Sequence, residues 1–177
     1  MLEGRSVRLR AVERVDLPSF VKWINDPEVT RFLELNPPMS MEDEERWFVD
    51  LQKDPDKVFS IDTKDGKLIG NVGLMRLNWK DRSVIIGIMI GEKEYWNRGF
   101  GTDAIETLLG YLFDEVNMNR VYLIADERNA RALRCYEKLG FMKEGLLRQH
   151  LYKNGNYIDD VEMSLLREDW EKRRQRA

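Results

Sequence analysis

Short stretches of alternating apolar and polar residues mark the first strands of this chain. Residues 6–10 read Ser-Val-Arg-Leu-Arg, an alternation typical of a half-buried strand. Residues 58–62 and 67–75 are apolar-rich and flank the turn Lys-Asp-Gly at 64–66, where Asp-Gly supplies the positive φ that a tight hairpin requires. Residues 82–91 form a further apolar run. The pattern therefore predicts three antiparallel strands in the middle of the chain.

Helices are predicted where the apolar spacing changes to three or four residues. The first begins at Asp16, has Pro18 in its first turn and ends near Asn25. The second begins at Ser40, which together with Asp43 forms a variant of the capping box. Both helices precede the predicted hairpin.

The clearest helical pattern begins at Gly99 and carries one broad apolar face as far as Val116. Another helix is predicted over residues 129–139, and Gly140 suits the position just after its end. The remaining segments have strand character and cover residues 120–125, 141–151 and 157–166.

This order of elements predicts an α/β (α+β) fold, with a mixed, mostly antiparallel central sheet of about seven strands flanked by about four helices. We expect a single domain over residues 1–177, because chains of about this length usually build one core. The charged run at 171–177 is interpreted as a frayed end, with a basic recruitment tail as the alternative.

Composition narrows the class of partner. A net charge of −3 lacks the basic surface that nucleic-acid binding requires, so no nucleic-acid partner is expected. One cysteine and one histidine leave neither a disulfide framework nor a Cys/His metal cluster. No run reaches the roughly 18 apolar residues of a membrane span, and no signal peptide is recognised, so we expect a cytoplasmic, metal-free protein without a membrane partner.

Residues 95–102, Tyr-Trp-Asn-Arg-Gly-Phe-Gly-Thr, place two glycines at the mouth of a predicted helix. Unpaired amides and the helix dipole favour anions there, and glycines let the backbone approach a phosphate closely. Arg98 adds a guanidinium donor. Neither the Gly-Lys-Ser/Thr ending of a P-loop nor the third glycine of a dinucleotide fingerprint is present. The segment therefore predicts a pyrophosphate cradle of another kind.

This cradle resembles the Arg/Gln-x-x-Gly-x-Gly/Ala pattern of the GNAT superfamily, with Gly99 and Gly101 in place and Trp96 in the first position as a departure. Residues 129–141, Asn-Ala-Arg-Ala-Leu-Arg-Cys-Tyr-Glu-Lys-Leu-Gly-Phe, resemble the more specific family pattern Asn-x-x-Ala-x-x-x-Tyr-x-x-x-Gly-Phe. The order of elements matches the family along nearly the whole chain. The cradle is similar to those of the branches that acetylate ribosomal-protein N-termini or spermidine.

The resemblance implies a binding site for acetyl-CoA. The pyrophosphate would be held at the cradle by Trp96, Asn97, Arg98, Gly99, Phe100, Gly101 and Thr102. The preceding strand would offer its backbone to the pantetheine arm at Ile88, Met89 and Ile90, and an N–H near Met89 would stabilise the oxyanion. Asn129 would cap its helix and contact the cofactor. Tyr136, seven residues on and on the same helix face, would be the general acid toward the departing thiolate.

The general base does not follow from the sequence. Many relatives carry a glutamate on the strand at 84–86, where this chain has Ile85. A water chain or a carboxylate from elsewhere would take the proton, with Glu34, Glu144 and Glu162 as unranked alternatives.

Three other features are open to a functional interpretation. Cys135 is favoured as a buried structural thiol over a nucleophile, because its neighbour Tyr136 points elsewhere and no histidine is near in sequence. His150 is favoured as a structural or surface residue over one that lines the acceptor site. The acidic run at 42–45 is favoured as a solvated helix cap over an amine-binding patch.

The expected activity is transfer of acetyl from acetyl-CoA to a primary amine within a ternary complex, without a covalent intermediate. A peptide or protein N-terminal α-amine is the first acceptor considered, and a polyamine such as spermidine or spermine is the alternative. An aminoglycoside or amino acid comes third, and a non-catalytic acyl-CoA-binding domain is kept as a reading from another class. Association into a homodimer is compatible with the sequence, which carries no direct evidence for it.

Overall fold

Eight strands form one sheet in the computed structural model, which describes residues 1–34, 37–53 and 56–176. The strands are β1 (Leu2–Glu3), β2 (Val7–Ala11), β3 (Lys57–Thr63), β4 (Leu68–Asn78), β5 (Ser83–Ile90), β6 (Arg120–Asp126), β7 (Met142–Lys153) and β8 (Asn156–Leu166). Their order across the sheet is β1-β2-β3-β4-β5-β6-β8-β7. The predicted fold class is confirmed, and the extra strand is the two-residue β1, too short to show an alternation.

Five helices flank the sheet, namely α1 (Leu17–Ile24), α2 (Met41–Leu51), α3 (Phe100–Gly110), α4 (Ala130–Leu139) and α5 (Arg167–Arg176). The first four match the predicted helices. The prediction of a frayed end is wrong for residues 171–176, and Ala177 lies outside the described residues. Helix α5 forms because Trp170 is buried and stacks on Phe113 with ring centroids 5.7 Å apart, a tertiary contact that its polar sequence does not reveal.

Helices cover the two faces of the sheet separately. The larger core joins α3, α4 and α5 to one face and includes Ile86, Leu108 and Leu139. A smaller cluster on the other face contains Phe20 and Trp23 from α1 and receives Trp47 and Leu51 from α2. Side chains of β5 alternate between the two, since Ile88 packs on the larger core and Met89 on the smaller cluster.

The feature that positions a site is the separation of β5 from β6. These strands are the only parallel neighbours within the described sheet, and their register covers three pairs, ending at Ile85 with Tyr122. Beyond that point β5 stays paired with β4 as far as Ile90, whereas β6 stays paired with β8 as far as Asp126. The two strands therefore diverge and leave unpaired backbone between them.

Local hydrogen bonds and backbone conformation explain where the main helices and turns begin and end. Ser40 accepts the N–H of Asp43, and Asp43 accepts the N–H of Ser40, which completes the predicted capping box of α2. Gly66 and Gly140 have φ of +87° and +96°, the left-handed values expected at the hairpin turn and at the end of α4. No described helix has both the length and the apolar composition that a membrane span needs.

Candidate functional site

A cleft of about 470 Å³ runs along the gap between β5 and β6 and reaches the N-termini of α3 and α4. Its walls include Ile88 from β5, Ile124 from β6, Gly101 from α3 and Tyr136 from α4. The two family-like patterns of the sequence, about thirty residues apart, therefore meet in one space. The cleft is large enough for an elongated ligand that enters at the helix ends and reaches into the sheet.

The mouth of α3 has the geometry of an anion cradle. Gly99 adopts a left-handed φ of +87°, and the first helical hydrogen bond runs from the N–H of Asp103 to the carbonyl of Gly99. The amides of Phe100, Gly101 and Thr102 precede that bond and so lack a helical acceptor. A Cβ added at Gly101 would lie 3.6 Å from Ile90, an ordinary contact, so nothing in the protein fills the space above this glycine. The cradle fits the pyrophosphate of acetyl-CoA.

Trp96 occupies the first cradle position and has a structural role of its own. Its indole N–H donates to the carbonyl of Ile90 at 2.7 Å, which closes the turn between β5 and the cradle. The guanidinium of Arg131 lies 4.5 Å above the indole ring. The aromatic ring in place of Arg or Gln therefore positions a cation from α4 instead of supplying one itself.

The remaining cradle residues divide into two groups. Asn97, with φ of +57°, and Thr102 line the cleft with Trp96 and the two glycines. Arg98 instead donates to the carbonyl of Glu94 at 3.2 Å and lies 5.8 Å from the centroid of Phe100. Neither Arg98 nor Phe100 forms the cleft wall in this arrangement.

Three cations on α4 also line the cleft, at Arg131, Arg134 and Lys138. They are not among the predicted site residues, although their spacing of three and four residues places them on one helix face. With Asp126 as the one carboxylate on the same wall, the described lining carries an excess of positive charge suited to an anionic ligand.

Of the three predicted residues on β5, Ile88 and Ile90 line the cleft and Met89 does not. The N–H of Gly91 donates to the carbonyl of Ile69 in β4, so by alternation the backbone groups of Met89 also face β4. The carbonyl of Ile90 faces the other way, toward Trp96. The N–H that faces the gap near the predicted oxyanion position is therefore that of Ile88.

Asn129 lines the cleft and caps α4. Its side-chain oxygen accepts the N–H of Ala132 at 3.2 Å, which leaves the amide NH2 available to a ligand. Cys135 lies one turn and a half further along, and its Sγ is 3.1 Å from the hydroxyl of Thr102. Burial raises the pKa of the Cys135 thiol, which favours the predicted structural role over a nucleophilic one.

Tyr136 is buried, with 8% of its surface exposed, and lies at the wall of the cleft. Its ring packs against Phe141 with centroids 5.8 Å apart. Burial raises the pKa of the Tyr136 phenol well above its ordinary value, so the hydroxyl keeps its proton at neutral pH. The side chain is thus held as a hydrogen-bond donor in a rigid position.

A second cavity of about 570 Å³ lies on the opposite face of the sheet, beneath α1 and α2. It shares Leu33, Gly87 and Ile88 with the first cleft, so the two spaces meet where β5 leaves β6. Its walls are mostly apolar, as Phe20, Trp47 and their neighbours show, but they include Glu44, Asp50 and Asp56. No lysine or arginine is among the described residues that line it.

The carboxylates considered as general bases lie outside both cavities in the described structure. Glu144 accepts hydrogen bonds from the two terminal guanidinium nitrogens of Arg120 and from the hydroxyl of Ser164. The hydrogen bonds from Arg120 lower the pKa of Glu144 to about 2. Glu162 lies 3.8 Å from the same arginine. An acid so strongly stabilised as a carboxylate is a poor proton acceptor. Glu34 also lines neither cavity.

His150 lies outside both cavities, whereas one residue of the acidic run at 42–45 lines the second cavity. The Nδ1 of His150 lies 2.7 Å from the buried Asp160, outside both cavities, which fits a structural residue. Within the acidic run, Glu42 is exposed and Asp43 caps the helix, as expected. Glu44, however, is buried at 8% exposure in the second cavity, so the interpretation of the whole run as a solvated cap is wrong at this position.

The chain is similar to known acetyltransferases. The model of the GNAT acetyltransferase domain matches residues 6–142. Spermidine N(1)-acetyltransferase of Escherichia coli is 30% identical over 96% of this chain and 91% of its own length. The putative ribosomal N-acetyltransferase YdaF of Bacillus subtilis is 38% identical, over 60% of this chain and 58% of its own length. A crystal structure of spermidine N-acetyltransferase from Vibrio cholerae in complex with CoA and spermine has a TM-score of 0.88 and 28% identity, covering 94% of this chain and 98% of that one.

Proposed function

Because the chain belongs to the GNAT acetyltransferase family and is an acetyl-CoA-dependent N-acetyltransferase, we propose that its acceptor is a polyamine of the spermidine type. The peptide N-terminal α-amine was the first acceptor predicted. The similarity to spermidine acetyltransferases extends over nearly the whole chain, whereas that to YdaF covers less of it. The polyamine is therefore the better supported acceptor.

The observation that carries the proposal is the opposite charge of the two spaces that meet at Gly87 and Ile88. The cleft on the α4 side is lined by three cations, Arg131, Arg134 and Lys138, which suit the phosphates of the acetyl donor. The cavity on the α2 side is lined by three carboxylates and mostly apolar walls. A polyamine has cationic nitrogens separated by methylene groups, so both features of this cavity match it.

The proposal gives each part of the donor side a role. The amides of residues 100–102 and the α4 cations hold the pyrophosphate, and the backbone of Ile88 and Ile90 pairs with the pantetheine arm. With acetyl-CoA held in this way, the thioester carbonyl would lie near Gly87 and Ile88, where the two cavities join. The N–H of Ile88 faces the gap and stabilises the oxyanion as the amine nitrogen attacks the carbonyl carbon.

Tyr136 acts when the carbon–sulfur bond breaks. Its neutral hydroxyl donates a hydrogen bond to the sulfur as negative charge develops there, and the raised pKa keeps the proton available for that bond. The amine attacks in its neutral form, after the ammonium has lost one proton to solvent. Its nitrogen loses a second proton as the amide forms, and the departing thiolate takes up one, so one proton is released for each ammonium that is acetylated. No side chain forms a bond to the acetyl group.

The test is CoA thiol release with purified protein, acetyl-CoA and three acceptor panels: spermidine and spermine, short peptides with free N-termini, and aminoglycosides. We expect kcat/KM to be highest for the polyamines. Peptides with blocked lysines serve as the matched control for α-amine transfer. A higher kcat/KM for peptides than for spermidine would overturn the polyamine assignment and restore the N-terminal α-amine as acceptor.

A further inference from the structure

The second cavity contains one carboxylate whose position is unlike that of its neighbours. Glu44 lies in the first turn of α2 and is 8% exposed. Asp43, the residue before it, caps the helix and also bonds Arg46, and Glu45, the residue after it, pairs with Arg14. The charges on either side of Glu44 are therefore compensated within the protein.

The side chain of Glu44 has no hydrogen bond or ion pair with any described residue of the chain, although it is more than nine-tenths buried. Burial alone shifts its acid–base equilibrium and raises the pKa of the Glu44 carboxyl. A largely buried carboxylate without a partner in the protein is unfavourable, because it loses part of its hydration and gains no compensating contact. Protein folding by itself thus gives no reason to place a glutamate at this position.

The surroundings of Glu44 restrict the kind of ligand that its carboxylate would bind. Trp47 and Leu51, one and two turns further along α2, line the same cavity with Phe20 from α1. The described residues contain no group of three or more His, Cys, Asp or Glu side chains that would bind a metal ion. An organic cation with apolar segments matches a mostly apolar chamber with carboxylates in its wall better than a hydrated metal ion does.

We propose that Glu44 is the specificity-determining residue of the acceptor cavity and binds a second ammonium group of the acceptor, remote from the nitrogen that is acetylated. This inference rests on the proposed polyamine acceptor and adds the residue that distinguishes a polyamine from a monoamine. Asp50, which pairs with Lys53 at 3.3 Å, and Asp56 also line the cavity and extend its negative field. Glu44 differs from them by its burial, which strengthens a direct contact with the cation.

The test compares Glu44→Gln with wild type, using spermidine and n-butylamine as acceptors at saturating acetyl-CoA. Glutamine keeps the size of the side chain and removes its charge. We expect KM for spermidine to rise about ten-fold to a hundred-fold, the range expected for loss of a hydrogen bond to a charged group. The kcat/KM for butylamine, which has no second ammonium, should stay within about two-fold.

The matched control is Glu42→Gln, which removes the same charge from an exposed position on the same helix. It should leave both acceptors unchanged, since net charge alone has little effect at this distance in salt. Thermal unfolding provides a second readout. The Tm of Glu44→Gln should equal or exceed that of wild type, because the substitution removes a buried charge that has no partner in the protein.

Each outcome separates the two proposals. Unchanged spermidine KM in Glu44→Gln, with wild-type protein active on spermidine, overturns the role of Glu44 and leaves the polyamine assignment in place. An equal loss with butylamine also overturns it, because Glu44 would then act on the reacting amine. A fall in Tm would show that Glu44 has a partner in the fold, against the inference. A wild-type protein that acetylates peptides but not spermidine overturns the proposed acceptor, and the role of Glu44 with it.

Discussion

Replacement of Tyr136 by Phe is the most direct test of the catalytic arrangement. The substitution removes one hydroxyl from a side chain that is 8% exposed and keeps the ring, which packs 5.8 Å from Phe141 between centroids. The fold and the walls of the cleft should therefore be retained. Only the hydrogen bond to the departing sulfur is lost, and it forms fully only as the thiolate develops.

The expected magnitude follows from the charge of the acceptor atom. A hydrogen bond to a charged group is worth roughly 1.5–3 kcal/mol, and each 1.36 kcal/mol is about ten-fold in rate, so kcat should fall by about 10- to 150-fold. The Kd for CoA should change by less than about two-fold, because the pyrophosphate contacts are made at the other end of the cleft.

The assay is thiol release at saturating acetyl-CoA and spermidine, combined with calorimetric titration of CoA. Tyr111→Phe is the matched control, since its ring packs against Phe59 outside the cleft and its hydroxyl has no assigned role. A Tyr136→Phe protein that is folded, binds CoA and keeps a third or more of the wild-type kcat would refute the donor role of this hydroxyl.

Three further predictions concern the cradle, the core and the loop that contains residues 30–33. Gly101→Val should weaken CoA binding, because a branched side chain beside Ile90 would occupy the cradle; equal CoA affinity by calorimetry on folded protein would contradict the cradle assignment. Asp103→Asn should lower the free energy of unfolding by about 2 kcal/mol in urea titration, since the carboxylate accepts hydrogen bonds from the backbone N–H groups of residues 5–7. A change below about 0.5 kcal/mol would refute this account. Lys153→Met should raise the acceptor KM more than the Kd for CoA. The buried ammonium donates to the carbonyls at positions 30 and 33, and it holds the loop at 30–33 against both cavities. An unchanged acceptor KM would show that this loop takes no part in acceptor binding.

Local sequence signals predicted the turns and helix starts that surround the cleft. The capping box at Ser40, the left-handed glycines at 66 and 140 and the start of α3 all depend on residues close together in the chain. Such features follow from backbone geometry and short-range hydrogen bonds, which a sequence pattern records directly. Placement of the cradle and of Tyr136 in one cleft additionally required the resemblance to a family, because helical spacing alone does not distinguish a cleft residue from a core residue.

The sequence by itself determined the elements, their order and the composition of the cradle, whereas the tertiary structure alone decided which residues line the second cavity. The divergence of β5 from β6 after Ile85 depends on the other strands with which they pair, since β5 stays with β4 and β6 stays with β8. The pairing of β5 with β4 also decides that the amide of Ile88, and not that of Met89, faces the gap. Glu44 lies in an acidic run that looks solvated in sequence, yet the packing of α1 and α2 over the sheet buries that one member of the run. Periodicity indicates which residues share a helix face, but only long-range packing determines whether that face meets solvent, a core or a cavity.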